Sequence, residues 1–314
     1  MTSAAVKTSI AVALVGVVCV STARAQAVRV AGTAVTLTPP DGFVPAAQFP
    51  GFQNAELQAS IMVTEMAGAA AAMVAGMTKD ALARQGVTLI ASKVVIVDGK
   101  EAVLLHLRQA VGKTEFFKWM LVAGDQSTTV LVVGTFPGAA ASGLGDDMRR
   151  SVLTASRNTG ASPDAFEGLL FRITPNDTLR IARRMSNMIM LNESGTTEPV
   201  GLEDAVYIAG NSLGEVGIGN VQAFAEARAR KTARMKDVRN LTGRSIQVDG
   251  AEAYEIVCDA KDATTGTAMK LYQVLVPDVS GYFIVQGFIS AARAADVLPE
   301  FQRMTGTFRI VRQR

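Results

Sequence analysis

The chain has 314 residues, of which 49% are hydrophobic, 19% charged and 6% aromatic, with a formal net charge of +3. That flat balance gives no reason to expect nucleic acid or an anionic membrane surface as an obligatory partner. Sparse aromatics, with Trp119 the single tryptophan, argue against a stacking platform for carbohydrate or single strands.

Residues 1–25 have the layout of a secretory signal peptide. Lys7 supplies the basic start, and residues 10–20 (IAVALVGVVCV) form an unbroken apolar run. The run is well short of the ~20 residues that span a bilayer. Ala23-Arg24-Ala25 puts small residues at the two positions a signal peptidase reads, so cleavage is expected between Ala25 and Gln26. A short membrane anchor is the alternative and fits the length less well. A lipoprotein reading through Cys19 fails at Val18, where a small residue is required. The expected location is periplasmic or secreted, with no integral membrane span after processing. Loss of Lys7 and Arg24 with the leader lowers the net charge from +3 to about one. Cys258 is then the only cysteine, so no internal disulfide is expected, and a buried inert thiol is the plain reading.

Two stretches are alike: Val97-Asp98-Gly99-Lys100-Glu101-Ala102 and Val248-Asp249-Gly250-Ala251-Glu252-Ala253. An internal repeat takes precedence in reading a fold. In the first copy, residues 28–157, a strand at 35–38 stops at Pro39-Pro40-Asp41-Gly42, and more strand follows at Phe52 and 59–65. A helix is predicted over 73–84, with Val74, Met77, Ala81 and Leu82 on one face and Gly86 beyond its end. Strands at 93–97 and 101–109 meet through Asp98-Gly99, a dipeptide suited to a tight hairpin. Strands at 115–122 and 128–136 continue a meander, and a helix over 144–155 closes the unit with Leu144, Met148, Val152 and Ala155 on one stripe.

Residues 158–165 read as a linker, short enough for the halves to pack together. The second copy, residues 166–314, repeats the order: strand at 169–174 stopped by Pro175-Asn176-Asp177, strand at 204–209, helix over 221–231, the second Asp-Gly hairpin, strands at 269–276 and 281–289, and a closing helix over 294–305. Gly134 and Gly287 fall at equivalent places in the last strand, where glycine marks a bulge or a close approach. The fold class expected is α+β, two tandem domains, each an antiparallel sheet flanked by helices.

This order, with Pro39-Pro40-Asp41-Gly42-Phe43 and the two Asp-Gly motifs, resembles the PsbP/DcrB-like family, once per half. The second copy departs at its first turn, where Pro175-Asn176-Asp177 stands. The resemblance implies antiparallel sheets covered by helices, in small accessory or binding modules, and transfers no functional residue.

Chemistry is sparse. His106 is the only histidine and alternates with Leu105 and Leu107, so it reads as a core or sheet-surface residue; no second histidine or cysteine cluster suggests a metal. No Gly-x-Ser-x-Gly elbow accompanies it. Gly143-Leu144-Gly145 and the glycine-rich residues 214–219 lack a phosphate-loop signature. Residues 68–72 and 214–219 precede the first helix of each copy and are the loops expected to touch a ligand or partner. Asp146-Asp147 is expected in the first turn of a helix, favoured by the macrodipole. Adjacent residues point apart, so neither this pair nor Glu203-Asp204 makes an acid–base site. The basic residues Arg228, Arg230, Lys231, Arg234, Lys236 and Arg239 are expected to spread around a helix as solvated surface.

The reading is a non-catalytic exported binding or accessory protein of two modules, without cofactor, whose partner is a protein or a small molecule. The alternatives are a periplasmic enzyme with a groove site, using His106 or Glu115 with arginines, and an envelope-associated scaffold.

Overall fold

A computed structural model describes residues 26–196, 201–279 and 281–312. The leader expected over residues 1–25, Ala25 included, lies outside the described residues; Gln26 is exposed.

The chain begins with β1 (Val28–Arg29), β2 (Val35–Leu37), β3 (Val44–Pro45), β4 (Gly51–Asn54) and β5 (Ala59–Ala67). Two short helices follow, α1 (Ala70–Gly76) and α2 (Lys79–Arg84). The meander is β6 (Val87–Val97), β7 (Lys100–Val111), β8 (Thr114–Gly124) and β9 (Thr128–Pro137), closed by α3 (Ala141–Leu153) and β10 (Ser156–Arg157). The second half runs β11 (Phe171–Arg172), β12 (Arg180–Met185), β13 (Met188–Asn192), β14 (Val206–Asn211), α4 (Val221–Arg230), β15 (Met235–Val248), β16 (Ala251–Asp262), β17 (Ala268–Asp278), β18 (Gly281–Ser290), α5 (Ala294–Gly306) and β19 (Arg309–Ile310).

One strand order occurs twice. The first seven-stranded sheet is β3-β4-β5-β9-β8-β7-β6 and the second is β12-β13-β14-β18-β17-β16-β15, antiparallel throughout. The hairpins that carry the repeated motif are alike. Asp98 and Gly99 take φ of 53° and 72°, and Asp249 and Gly250 take 50° and 78°. Both central residues of each turn are thus left-handed, as a turn matched to strand twist requires. Each aspartate also holds the end of its own copy: Asp98 Oδ2 accepts from Ser156 Oγ at 2.9 Å, and Asp249 Oδ2 from the Ile310 amide at 2.9 Å. The held strands pair back to the start, β10 with β2 and β19 with β11.

Each sheet buries both faces. In the first, Leu144, Met148 and Val152 of α3 pack on Leu121, Val132 and Phe136, while Leu82 of α2 covers Leu105 and Leu107 behind. In the second, Val297, Phe301 and Met304 of α5 pack on Tyr207, Tyr272 and Val285, while Ala225 and Ala229 of α4 cover Ile256, Cys258 and Leu271. Gly134 and Gly287 lie under these closing helices. A Cβ would come within 3.1 Å of Met148 Cε in the first copy and 2.4 Å of the Phe301 ring in the second.

Several expectations change. The helix expected over 73–84 is two helices, because Gly76 ends one and the Thr78 side chain caps the next by accepting from the Ala81 amide. Helix α3 begins at Ala141, so Asp146 and Asp147 lie beyond its first turn; Asp147 instead pairs with Arg150. The basic residues do not circle one helix: α4 ends at Arg230, and Lys236 and Arg239 belong to β15. The strand expected at 169–174 is the two-residue β11. Sheet dominates, and helix coverage is thinner than an α+β reading implies: α1 and α2 have 7 and 6 residues.

Candidate binding surfaces

The halves meet through β12 and β5. Ser186 Oγ donates to Met62 Sδ at 3.3 Å, and Arg29 Nη1 donates to Glu167 Oε2 at 2.9 Å. The Gly32 amide donates to the same oxygen at 3.2 Å. Gly32 has φ of 71°, and a Cβ there would sit 1.7 Å from Arg184 Nη1 and 2.4 Å from the Glu167 carbonyl. Glycine is therefore required for the approach.

Beside this junction lies a cleft of about 300 Å³ lined from both halves, by Thr64, Glu65 and Arg157 on one side and Arg183, Arg184 and Ser186 on the other. Glu65 is spent within it, accepting from Arg157 Nε at 2.7 Å and the Ala34 amide at 2.6 Å. Burial pushes the Arg184 guanidinium down to about 10, against the pull of Glu167 and Asp164. Arg184 Nη2 and Arg183 Nε are buried with no hydrogen-bond partner among the described residues. The cleft is cationic.

The residues singled out from the sequence stand elsewhere. His106, on β7, stacks on Trp119 with centroids 4.1 Å apart, and burial lowers its pKa. Trp119 Nε1 is fixed in turn by the Gly145 carbonyl at 2.9 Å. Glu115 pairs with Arg108 at 3.4 Å on the surface. Neither His106 nor Glu115 lines the cleft. Cys258 is buried, and desolvation pushes its thiol up to about 11. Glu203 accepts from Ser290 Oγ and Asp204 from the Glu193 amide, each at its own place. At Gly214, Gly217 and Gly219 an added Cβ would meet open space. Neither of the two expected loops, 68–72 and 214–219, lines the cleft. Arg183 and Arg184 were not among the sequence candidates; they belong to no motif, and only the tertiary fold brings them to Glu65 and Arg157.

The outer edges of the two sheets differ. Strand β15 is guarded: its register shifts twice, Asp237 and Asn240 have φ of 54° and 52°, and Lys236, Asp237, Arg239 and Arg244 are exposed. Strand β6 shifts once, has one exposed charge, Lys93, and shows apolar side chains, with Val94 61% and Ile96 67% exposed. By register from the Asp-Gly turns, Ser245 and Gln247 stand at those two places in β15.

A second cavity, of about 450 Å³, lies on the α4 side of the second sheet, beside β12, β13, β14 and β18. Met190, Ile208, Met269 and Phe288 form its wall, with Arg183 and Arg234 among its polar groups. Among the described residues no group of histidine, cysteine or carboxylate side chains is placed to hold a metal, and no helix is long and apolar enough to cross a membrane.

No protein-family model matches the sequence, and no curated protein matches it. Among solved structures, the chain is similar to LpqN, involved in cell envelope biogenesis of Mycobacterium tuberculosis, at 14% identity over 45% of this chain and 83% of that one, with a TM-score of 0.34. It is also similar to the T6SS immunity protein TplEi of Pseudomonas aeruginosa, at 11% identity over 86% and 97%, TM-score 0.33. A chain of the Tle4–Tli4 complex matches at 10% identity over 86% and 98%, TM-score 0.34. Similarities of this size leave function to the geometry of the chain itself.

Proposed function

We propose that the chain is an exported, non-catalytic binding protein built from two PsbP/DcrB-like modules, and that its partner is another protein that adds a strand to β6. The observation that carries this reading is the contrast between the two outer edges. An open edge strand offers unpaired amide and carbonyl groups to any passing chain, so folded proteins blunt such edges with charge, bulges or cover. Strand β15 has four exposed charges and two bulges, whereas β6 has one of each and exposes Val94 and Ile96 beside Lys93. An edge left more open and more apolar in one of two matched positions fits strand addition, in which main-chain bonds give affinity and alternate side chains give specificity. The partner segment is therefore extended, with apolar, preferably β-branched, residues at alternate positions.

The test compares proteins that co-purify with the chain from the exported fraction, for wild type, for Val94→Lys with Ile96→Lys, and for Ser245→Lys with Gln247→Lys. A specific partner retained by the β15 pair and lost with the β6 pair, all three melting within a few degrees of each other, supports the reading. A monomer with no partner, or equal retention by both pairs, overturns it. Self-association abolished by the β6 pair replaces the partner with a second copy and overturns it as well.

A further inference from the structure

The two sheets use equivalent faces differently. Ile61 pairs with Gly134 and Tyr207 with Gly287, so Met62 and Ile208, one residue further along, are counterparts. Met62, half-buried, is touched by the second half through Ser186. Among the described residues no third unit lies against Ile208 and no counterpart of α1 precedes α4; residues 212–220 run as an irregular segment. What remains on that face is the cavity of about 450 Å³, a size inside the ~300–1,000 Å³ of small-molecule sites.

Its chemistry is of two kinds. Met190 and Met269 are buried in its wall, and Met185, Met235, Ile208 and Phe288 extend the apolar lining. Methionine is unbranched and polarizable, and adapts to irregular apolar ligands. Against this stand two guanidinium groups, those of Arg183 and Arg234. Arg183 reaches the cavity from the bulge in β12, directly across from Met190. Its Nε is buried without a hydrogen-bond partner among the described residues, and the side chain lies between this cavity and the cleft at the junction of the halves, lining both. Of the two carboxylates on the cavity wall, Asp262 accepts from the Thr264 and Thr265 amides at 3.0 and 2.7 Å and is offset by the charge of Arg234, and Asp204 Oδ1 accepts from Glu193 N at 3.1 Å, so Arg183 is the cation left for a ligand. A planar guanidinium on an otherwise apolar wall matches a carboxylate.

We infer that this cavity is a binding site for a small amphipathic carboxylate, its apolar body among Met190, Met269, Ile208 and Phe288 and its anionic end on Arg183. Decanoate is the probe, titrated into the whole chain by isothermal calorimetry, with 1-decanol as the uncharged control. Saturable one-to-one binding of decanoate, at least tenfold tighter than decanol, is expected. Arg183→Met keeps the aliphatic stem and removes the charge, so it lowers decanoate affinity at least tenfold and leaves decanol unchanged. Arg183→Lys keeps the charge and most of the affinity, and Ile208→Trp fills the space and removes binding of both. The β6 pair, Val94→Lys with Ile96→Lys, leaves decanoate binding intact, which separates this site from the proposed strand addition. Absence of saturable decanoate binding, or an affinity indifferent to Arg183→Met in a variant that melts like wild type, overturns the inference.

Discussion

The cores under α3 and α5 occupy matched positions and are built from opposite materials. In the second half, Tyr207 and Tyr272 share the Thr305 hydroxyl at 2.9 and 3.1 Å, Tyr272 also donates to Glu255 at 3.2 Å, and Arg244 closes the chain onto Glu255 at 2.7 Å. Glu255 is only 5% exposed. Register and helix position set Ile61, Leu104, Trp119 and Val152 at the corresponding places in the first half, with no charged group among them. The same backbone therefore accepts an apolar solution and a polar one. The polar one works because every member finds a partner, and a half-satisfied network would be worse than none.

The sharpest break in that comparison comes from the paired glycines. Gly287→Ala drives a Cβ to 2.4 Å from the ring of Phe301, which is fully buried, and should cost about 3 kcal/mol, the upper end of ordinary overpacking. In Gly134→Ala the nearest atom is the flexible end of Met148 at 3.1 Å, and a gain of ~0.5–1 kcal/mol from replacing strand glycine offsets the crowding. Denaturant melts of the two variants should differ by several fold in their loss, and equal losses would mean that the helices do not sit alike.

A smaller effect is expected at Thr305→Val, which imports the first-half residue. Tyr207 then loses its hydroxyl partner while Tyr272 keeps Glu255, so about 1–2 kcal/mol should be lost in a chemical melt followed by circular dichroism. Trp119 fluorescence reports only the first half and should show less of that change.

The least drastic test is acid. Asp164, Glu167, Glu193, Asp237, Asp259 and Asp262 are all held below the usual carboxylate range by hydrogen bonds or ion pairs, and all belong to the second half or its entry; Asp125, at about 2, is the first-half case. A carboxylate with a lowered folded value contributes stability above its unfolded value, and that stability is lost as pH falls through the lowered one. The second half should therefore loosen first between about pH 4 and pH 2. Circular dichroism should change before Trp119 fluorescence does, and coincident transitions would show that the halves unfold together.

Much of the architecture was legible because it is local. The Asp-Gly turns need positive φ at two consecutive positions, and few dipeptides supply it, so the repeat announced both hairpins. The stripe at Leu144, Met148 and Val152 is the buried face of α3, and Gly134 and Gly287 are where closing helices press on the sheets. Residues 180–192 gave no readable alternation, and β12 and β13 went unseen because one carries arginines inward and the other is apolar on both faces. The run at Arg228–Arg239 misled because Arg234, with φ of 65°, sits between the end of α4 at Arg230 and the start of β15 at Met235. The surfaces offered for binding were the least legible part. Arg183 is set in place by a bulge and by a neighbouring half, and the openness of β6 has meaning only beside β15.

The pairing of β2 with β10, and of β11 with β19, brings the head and tail of each unit together beside its Asp-Gly turn. A module whose ends are neighbours can be copied in tandem through a short bridge without disturbing the sheet it already has, which gives gene duplication an easy route to this chain. The same adjacency marks each unit as a candidate for circular permutation, with old ends joined and new ones opened in an exposed turn.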